Sequence, residues 1–101
     1  MKVIADDPWN WFLFEDDGKL YLEVLVESGA MSFSVAAELT AEQADRYKQD
    51  GARSLALVSG EMRHSALMRT WRISPLPDRW NERSVAAVQE WQRDRRPAAG
   101  S

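Results

Sequence analysis

The run Trp11-Phe12-Leu13-Phe14-Glu15-Asp16-Asp17-Gly18-Lys19-Leu20-Tyr21-Leu22-Glu23-Val24-Leu25-Val26-Glu27-Ser28-Gly29 decides the fold. From Leu20 onward apolar residues fall on every second position: Leu20, Leu22, Val24 and Val26 share one side, and Tyr21, Glu23, Leu25 and Glu27 share the other. A period of two is the signature of a half-buried strand. Before it, residues 9–15 form a strand apolar on both sides, with Trp9, Trp11 and Leu13 on one face and Phe12 and Phe14 on the other. Asp17-Gly18 between the two is a two-residue hairpin signal, because a type I′ turn needs positive φ at both central residues. That turn sets Leu13 opposite Leu22, Trp11 opposite Val24 and Phe14 opposite Tyr21. Ser28-Gly29 is a second, weaker turn signal. Residues 31–38 then alternate again, Met31, Phe33, Val35 and Ala37 against Ser32, Ser34, Ala36 and Glu38. With Ser28-Gly29 as the loop, Leu22 meets Val35 and Val24 meets Phe33. Both hairpins place their apolar residues on one common face, an agreement that a one-residue slip would destroy.

Working outward, Thr40 is an N-cap and Gln43, three residues on, completes a capping box. Leu39 is placed to staple against Ala44, and Gly51 supplies the C-terminal stop. A second helix is expected from about Ala52 to Arg63, with Leu55, Val58 and Met62 on one stripe and Gly60 weakening its last turn. Leu67 to Ile73 reads as a short fourth strand, ended by Pro75 and Pro77. A last helix starts near Asp78 or Asn81 and runs to about Arg95, with Trp80, Val88 and Trp91 at helical spacing. The fold class expected is α+β: a three- to four-stranded antiparallel sheet, an N-terminal meander, with two to three helices packed on one face. Residues 1–96 make a single domain and residues 97–101 a flexible tail.

Bulk properties restrict function. The chain has no cysteine, so thiolate metal sites, redox pairs and disulfides are excluded. It has no apolar run near the ~20 residues that span a bilayer and no signal-peptide core, and the cytoplasm is the expected compartment. Residues 1–45 hold two lysines against ten carboxylates, a charge of −8, while residues 46–101 carry +5. The acidic half argues against nucleic acid and suits a basic partner; alternatively the halves neutralise each other within the fold.

Chemistry is sparse. His64 is the one histidine; with Arg69 and Arg72 it forms a candidate site for phosphodiester or nucleotide chemistry, but a lone histidine near a helix end is more often a capping or surface residue. Asp6-Asp7 and Glu15-Asp16-Asp17 lack the ligand spacing of a calcium loop. No catalytic residue, cofactor or metal is expected. The second sheet face stands out instead: Phe12, Phe14, Tyr21, Glu23, Leu25 and Glu27, beside Asp16 and Asp17 of the turn, mix aromatics with acids. That face reads as a partner-binding surface. A homodimer seam, cover by residues 65–77, or wrapping of Phe12 and Phe14 around a sheet edge are the alternatives. Trp11 and Trp91 read as core, and Trp71 as the tryptophan least suited to burial.

Asp7-Pro8-Trp9-Asn10-Trp11 leading into a strand, the Glu15-Asp16-Asp17-Gly18 turn, the Leu20-Tyr21-Leu22 return, and Glu38-Leu39-Thr40 opening a helix that ends at Tyr47 and Gly51 resemble small immunity proteins of bacterial polymorphic toxin systems, of the contact-dependent inhibition and type VI secretion kinds. The resemblance covers about residues 3–63. It implies a cytoplasmic, non-enzymatic protein that binds a cognate protein toxin and blocks its activity. It transfers no individual site residue. The alternatives are a self-associating regulatory or structural subunit and a small enzyme using His64.

Overall fold

A computed structural model describes residues 1–68 and 75–95 of the chain. The element order is β1 (Lys2–Asp7), β2 (Trp11–Asp16), β3 (Lys19–Ser28), β4 (Met31–Glu38), α1 (Ala41–Asp50), a 3-10 turn (Gly51–Ser54), α2 (Leu55–Leu67) and α3 (Trp80–Arg95). The four strands form one antiparallel sheet in the order β1-β2-β3-β4. The fold is therefore α+β, with the expected meander at its amino-terminal end. The proposed strand at 67–73 does not begin at Leu67, which closes α2; its residues 69–73, Trp71 among them, lie outside the described residues, as does the 97–101 tail.

The first hairpin has the expected register. Trp11 pairs with Val24, Leu13 with Leu22 and Phe14 with Tyr21. Asp17 and Gly18 both have positive φ, 53° and 79°, as a type I′ turn demands. The second hairpin is displaced by two residues: Val24 pairs with Val35, Leu22 with Ala37 and Val26 with Phe33. The loop is Gly29-Ala30, closed by Ser28 opposite Met31, and Gly29 has φ 63°. Glycine at the first central position is what a type II′ turn requires, so Gly29 takes that place and Ser28 joins the strand. A two-residue shift preserves the pleat, so every side chain stays on its expected face.

β1 is an additional edge strand. It pairs with β2 through Val3 opposite Phe14 and Asp6 opposite Phe12, with a bulge between Val3 and Ala5. The bulge turns Ile4 and Ala5 toward the first face and leaves Val3 and Asp6 on the second.

Two cores result. On the first face Trp11, Leu13, Leu22 and Val24 pack with Leu39 and with Leu55 and Met62 of α2. The capping box is formed: Gln43 N–H donates to Thr40 Oγ1 at 3.1 Å, and the Thr40 N–H donates to Gln43 Oε1 at 2.9 Å. α2 continues through Gly60 to Leu67, a turn beyond the expected end. Two helices thus cover this face. α3 does not join them. Its stripe packs on the opposite face, where Trp80 and Ala87 meet Val3, Phe14 and Tyr21 in a second core. The sheet is covered on both sides, and its length is enough to fill two thin cores because β2 is apolar on both faces.

Candidate functional site

Trp80, the first residue of α3, anchors the second core. Its ring meets Phe14 edge-on at 5.1 Å between centroids and Tyr21 at 5.6 Å. Such tilted pairs are favoured by the ring quadrupole. Its indole Nε1–H donates to Glu23 Oε2 at 3.2 Å. α3 thereby covers the sheet face that the sequence left open. Phe14 is fully buried and Tyr21 is 6% exposed, so neither is available as a contact residue; this corrects their placement on an open surface. Asp16 is also engaged. Arg83 Nη2 donates to Asp16 Oδ1 at 2.6 Å, and the Met1 amino group lies 3.2 Å from the same oxygen. Burial raises the Asp16 carboxyl, but hydrogen bonds and charge from the amino group and from Arg83 outweigh it and hold it below its ordinary value. Asp17 and Glu27 are exposed, at opposite ends of β3.

The rest of the expected surface converges. Phe12, Glu23 and Leu25 lie on the second face, opposite Val88 and Trp91 of the carboxyl-terminal half of α3. The space between is a cleft of about 870 Å³. Val88 and Trp91 of α3 form one wall, Phe12, Glu23 and Leu25 the floor, and Asp6 and Trp9 the rim at the β1–β2 turn. Among the described residues that line it, the charged ones are Asp6 and Glu23, both acidic. Desolvation raises the Glu23 carboxyl, and the hydrogen bonds from Trp80 and Ser34 offset this only in part. Glu23 is therefore a carboxylate held in a partly dry, aromatic setting.

Trp9 is 88% exposed. It sits in the turn Asp7-Pro8-Trp9-Asn10, closed by Asn10 N–H donating to the Asp7 carbonyl at 2.9 Å and by Asn10 Nδ2 donating to Asp7 Oδ2 at 2.8 Å. Pro8 fixes negative φ at the second position, and Trp9 has φ 70° at the third. This is the type II pattern, which normally takes glycine or asparagine at that place. Asp6, Trp9 and Trp91 were absent from the expected site. The Pro8 turn signal was the one available pointer to the first two. Trp91, expected in the core, packs half-buried against the second core and also lines the cleft.

The histidine constellation is not assembled among the described residues. His64 is exposed on α2 beside a shallow hollow lined by Leu57, Gly60 and Glu61, and Arg69 and Arg72 lie outside the described residues. Among the described residues no three His, Asp or Glu side chains are grouped to hold a metal ion, and no helix is long and apolar enough to cross a membrane. No protein-family model matches the chain, and no curated protein or solved structure matches it.

Proposed function

We propose that this chain is a non-enzymatic binding protein that neutralises a protein toxin, taking a basic segment of that toxin into the cleft between the second sheet face and α3. One observation carries the reading: a large cleft walled by aromatic and aliphatic side chains has only acidic residues among its described charged lining. Apolar walls with a few placed charges describe a ligand site, and the charge that complements Asp6 and Glu23 is positive. The acidic half adds to this. Asp17 and Glu27 are exposed, and an acidic field accelerates encounter with a basic partner. The resemblance to immunity proteins supplies the class of partner, and a cytoplasmic address goes with it. No cofactor enters this mode of action, which is occlusion.

The test is co-purification with, and protection against, the product of the adjacent upstream gene. Complex formation should slow steeply between low and physiological salt, because steering by exposed charges is screened over about 8–10 Å there. Glu23→Gln combined with Asp6→Asn should weaken the complex. Absence of both binding and protection would remove the proposal.

Self-association has its own support. β4 is an edge strand whose residues 31–37 carry no charge and no proline, and Met31 and Phe33 are exposed. Unguarded edges pair with other strands. Light scattering on the protein and on its Phe33→Lys variant separates a dimer formed at this edge from a monomer.

A further inference from the structure

Three features of the cleft point to one chemical group. Its rim, floor and wall each carry an aromatic residue: Trp9, Phe12 and Trp91. Its floor holds a partly desolvated carboxylate, Glu23, anchored by Trp80 and Ser34. Its most exposed aromatic, Trp9, is held in a left-handed backbone conformation. Strain of this kind in a bulky residue persists when the surroundings impose it, and it clusters at binding sites. A cation attracted to a ring face and a carboxylate together is the common requirement. An ammonium is compact and strongly hydrated, so it loses much of its hydration energy on entering an apolar wall. A guanidinium is planar and weakly hydrated, stacks on aromatic faces and meets a carboxylate with two parallel donors.

Resting on the toxin-binding reading for its source, we infer that the cleft is a guanidinium receptor: it receives one arginine side chain of the partner, stacked against Trp9 and donating to Glu23. Asp6, at the rim, is the second carboxylate of the described lining. The hydrogen bonds from Trp80 and Ser34 fix the Glu23 carboxyl in the cleft lining. Trp80 is in this sense a positioning residue, and α3 is the element that makes the receptor.

The experiment titrates the full chain with N-acetyl-arginine N-methylamide and follows the indole N–H resonances by NMR. The lysine and citrulline counterparts are run at matched ionic strength. The expected result is a saturable shift with the arginine probe, a weaker response to the lysine probe and none to citrulline, which has the shape without the charge. Glu23→Gln should weaken arginine binding about tenfold or more, the loss of a charge-assisted hydrogen bond. Trp9→Gly, which relieves the backbone, should weaken it about three- to thirtyfold with an unchanged amide spectrum. Equal responses to arginine and citrulline, or no saturable response, would overturn the receptor. A toxin that binds while the arginine probe does not would also overturn it and leave the proposed function standing. An arginine probe that binds with no toxin partner found would support the receptor and remove the toxin from the account.

Discussion

At Trp9 the backbone has φ 70°, a region where Cβ crowds the carbonyl oxygen and which costs a residue other than glycine roughly 1–2 kcal/mol. The side chain recovers little of this by burial, since it is 88% exposed. Glycine would remove the strain while adding about 0.5–1 kcal/mol of chain entropy to the unfolded state. The balance predicts that Trp9→Gly leaves stability unchanged or raises it by up to about 1.5 kcal/mol. Urea unfolding measures it. A loss above about 1 kcal/mol would mean that Trp9 is held by packing rather than exposed for a ligand. At this scale the sequence was legible wherever a period of two governs. Phe12, Glu23 and Leu25 stand on the face expected of them, because a strand's pleat sends each side chain to a determined side. Trp9 was not legible in the same way. Its direction depends on a positive φ that its own chemistry disfavours, so only the Pro8 at the preceding position hinted at the turn.

Elements differ in how far local pattern reaches. The two helices after the sheet follow from Thr40, Gln43 and the Leu55–Met62 stripe, all local signals. α3 also has its stripe, from Trp80 to Trp91, but a stripe states that a face will be buried and does not state against what. With α1 and α2 already over Trp11, Leu13, Leu22 and Val24, the uncovered apolar surface was the Phe14–Tyr21 side, and α3 went there. The same gap in local information hid β1, whose neighbour is chosen by pairing. Two predictions belong to elements. Trp80 ties α3 to the sheet through two rings and one hydrogen bond, so Trp80→Ala should cost about 3–5 kcal/mol. Hydrogen exchange should then show α3 amides opening well before those of β2 and β3; equal loss of protection everywhere would mean that the second core is not a separate unit. In α2, Gly60 has open space where a Cβ would stand and an exposed site in the helix interior. Gly60→Ala should therefore raise stability by about 1 kcal/mol; denaturant unfolding that shows no gain would indicate that the backbone there departs from a regular helix.

Across the whole molecule the two halves of opposite charge meet where α3 crosses the sheet, at Arg83 and Asp16. The partial neutralisation weighed from the sequence occurs at this one described junction, while Asp17 and Glu27 stay exposed. The second face thus carries two carboxylates shifted in opposite directions, and their linkage to folding has opposite signs. Asp16 is held below its ordinary value by the amino group and Arg83. The unfolded chain therefore binds its proton more tightly, and the stability this gives is present above the ordinary aspartate value and lost as pH falls through the folded one. Glu23 is raised, chiefly by burial. Here the folded chain binds the proton more tightly, so stability is fully present below the ordinary glutamate value and declines as pH rises through the higher folded one. The contribution of these two groups to stability is greatest near the ordinary carboxylate range, roughly pH 4–5, and falls on each side. Thermal unfolding across pH should show Asp16→Asn lowering stability at neutral pH and converging with the parent in acid. Glu23→Gln, which retains an acceptor for the Trp80 N–H, should flatten the neutral limb and raise stability there. A Glu23→Gln protein less stable at neutral pH than its parent would mean that the carboxylate is already compensated in the folded state, and that the cleft places no unmet charge before an incoming cation.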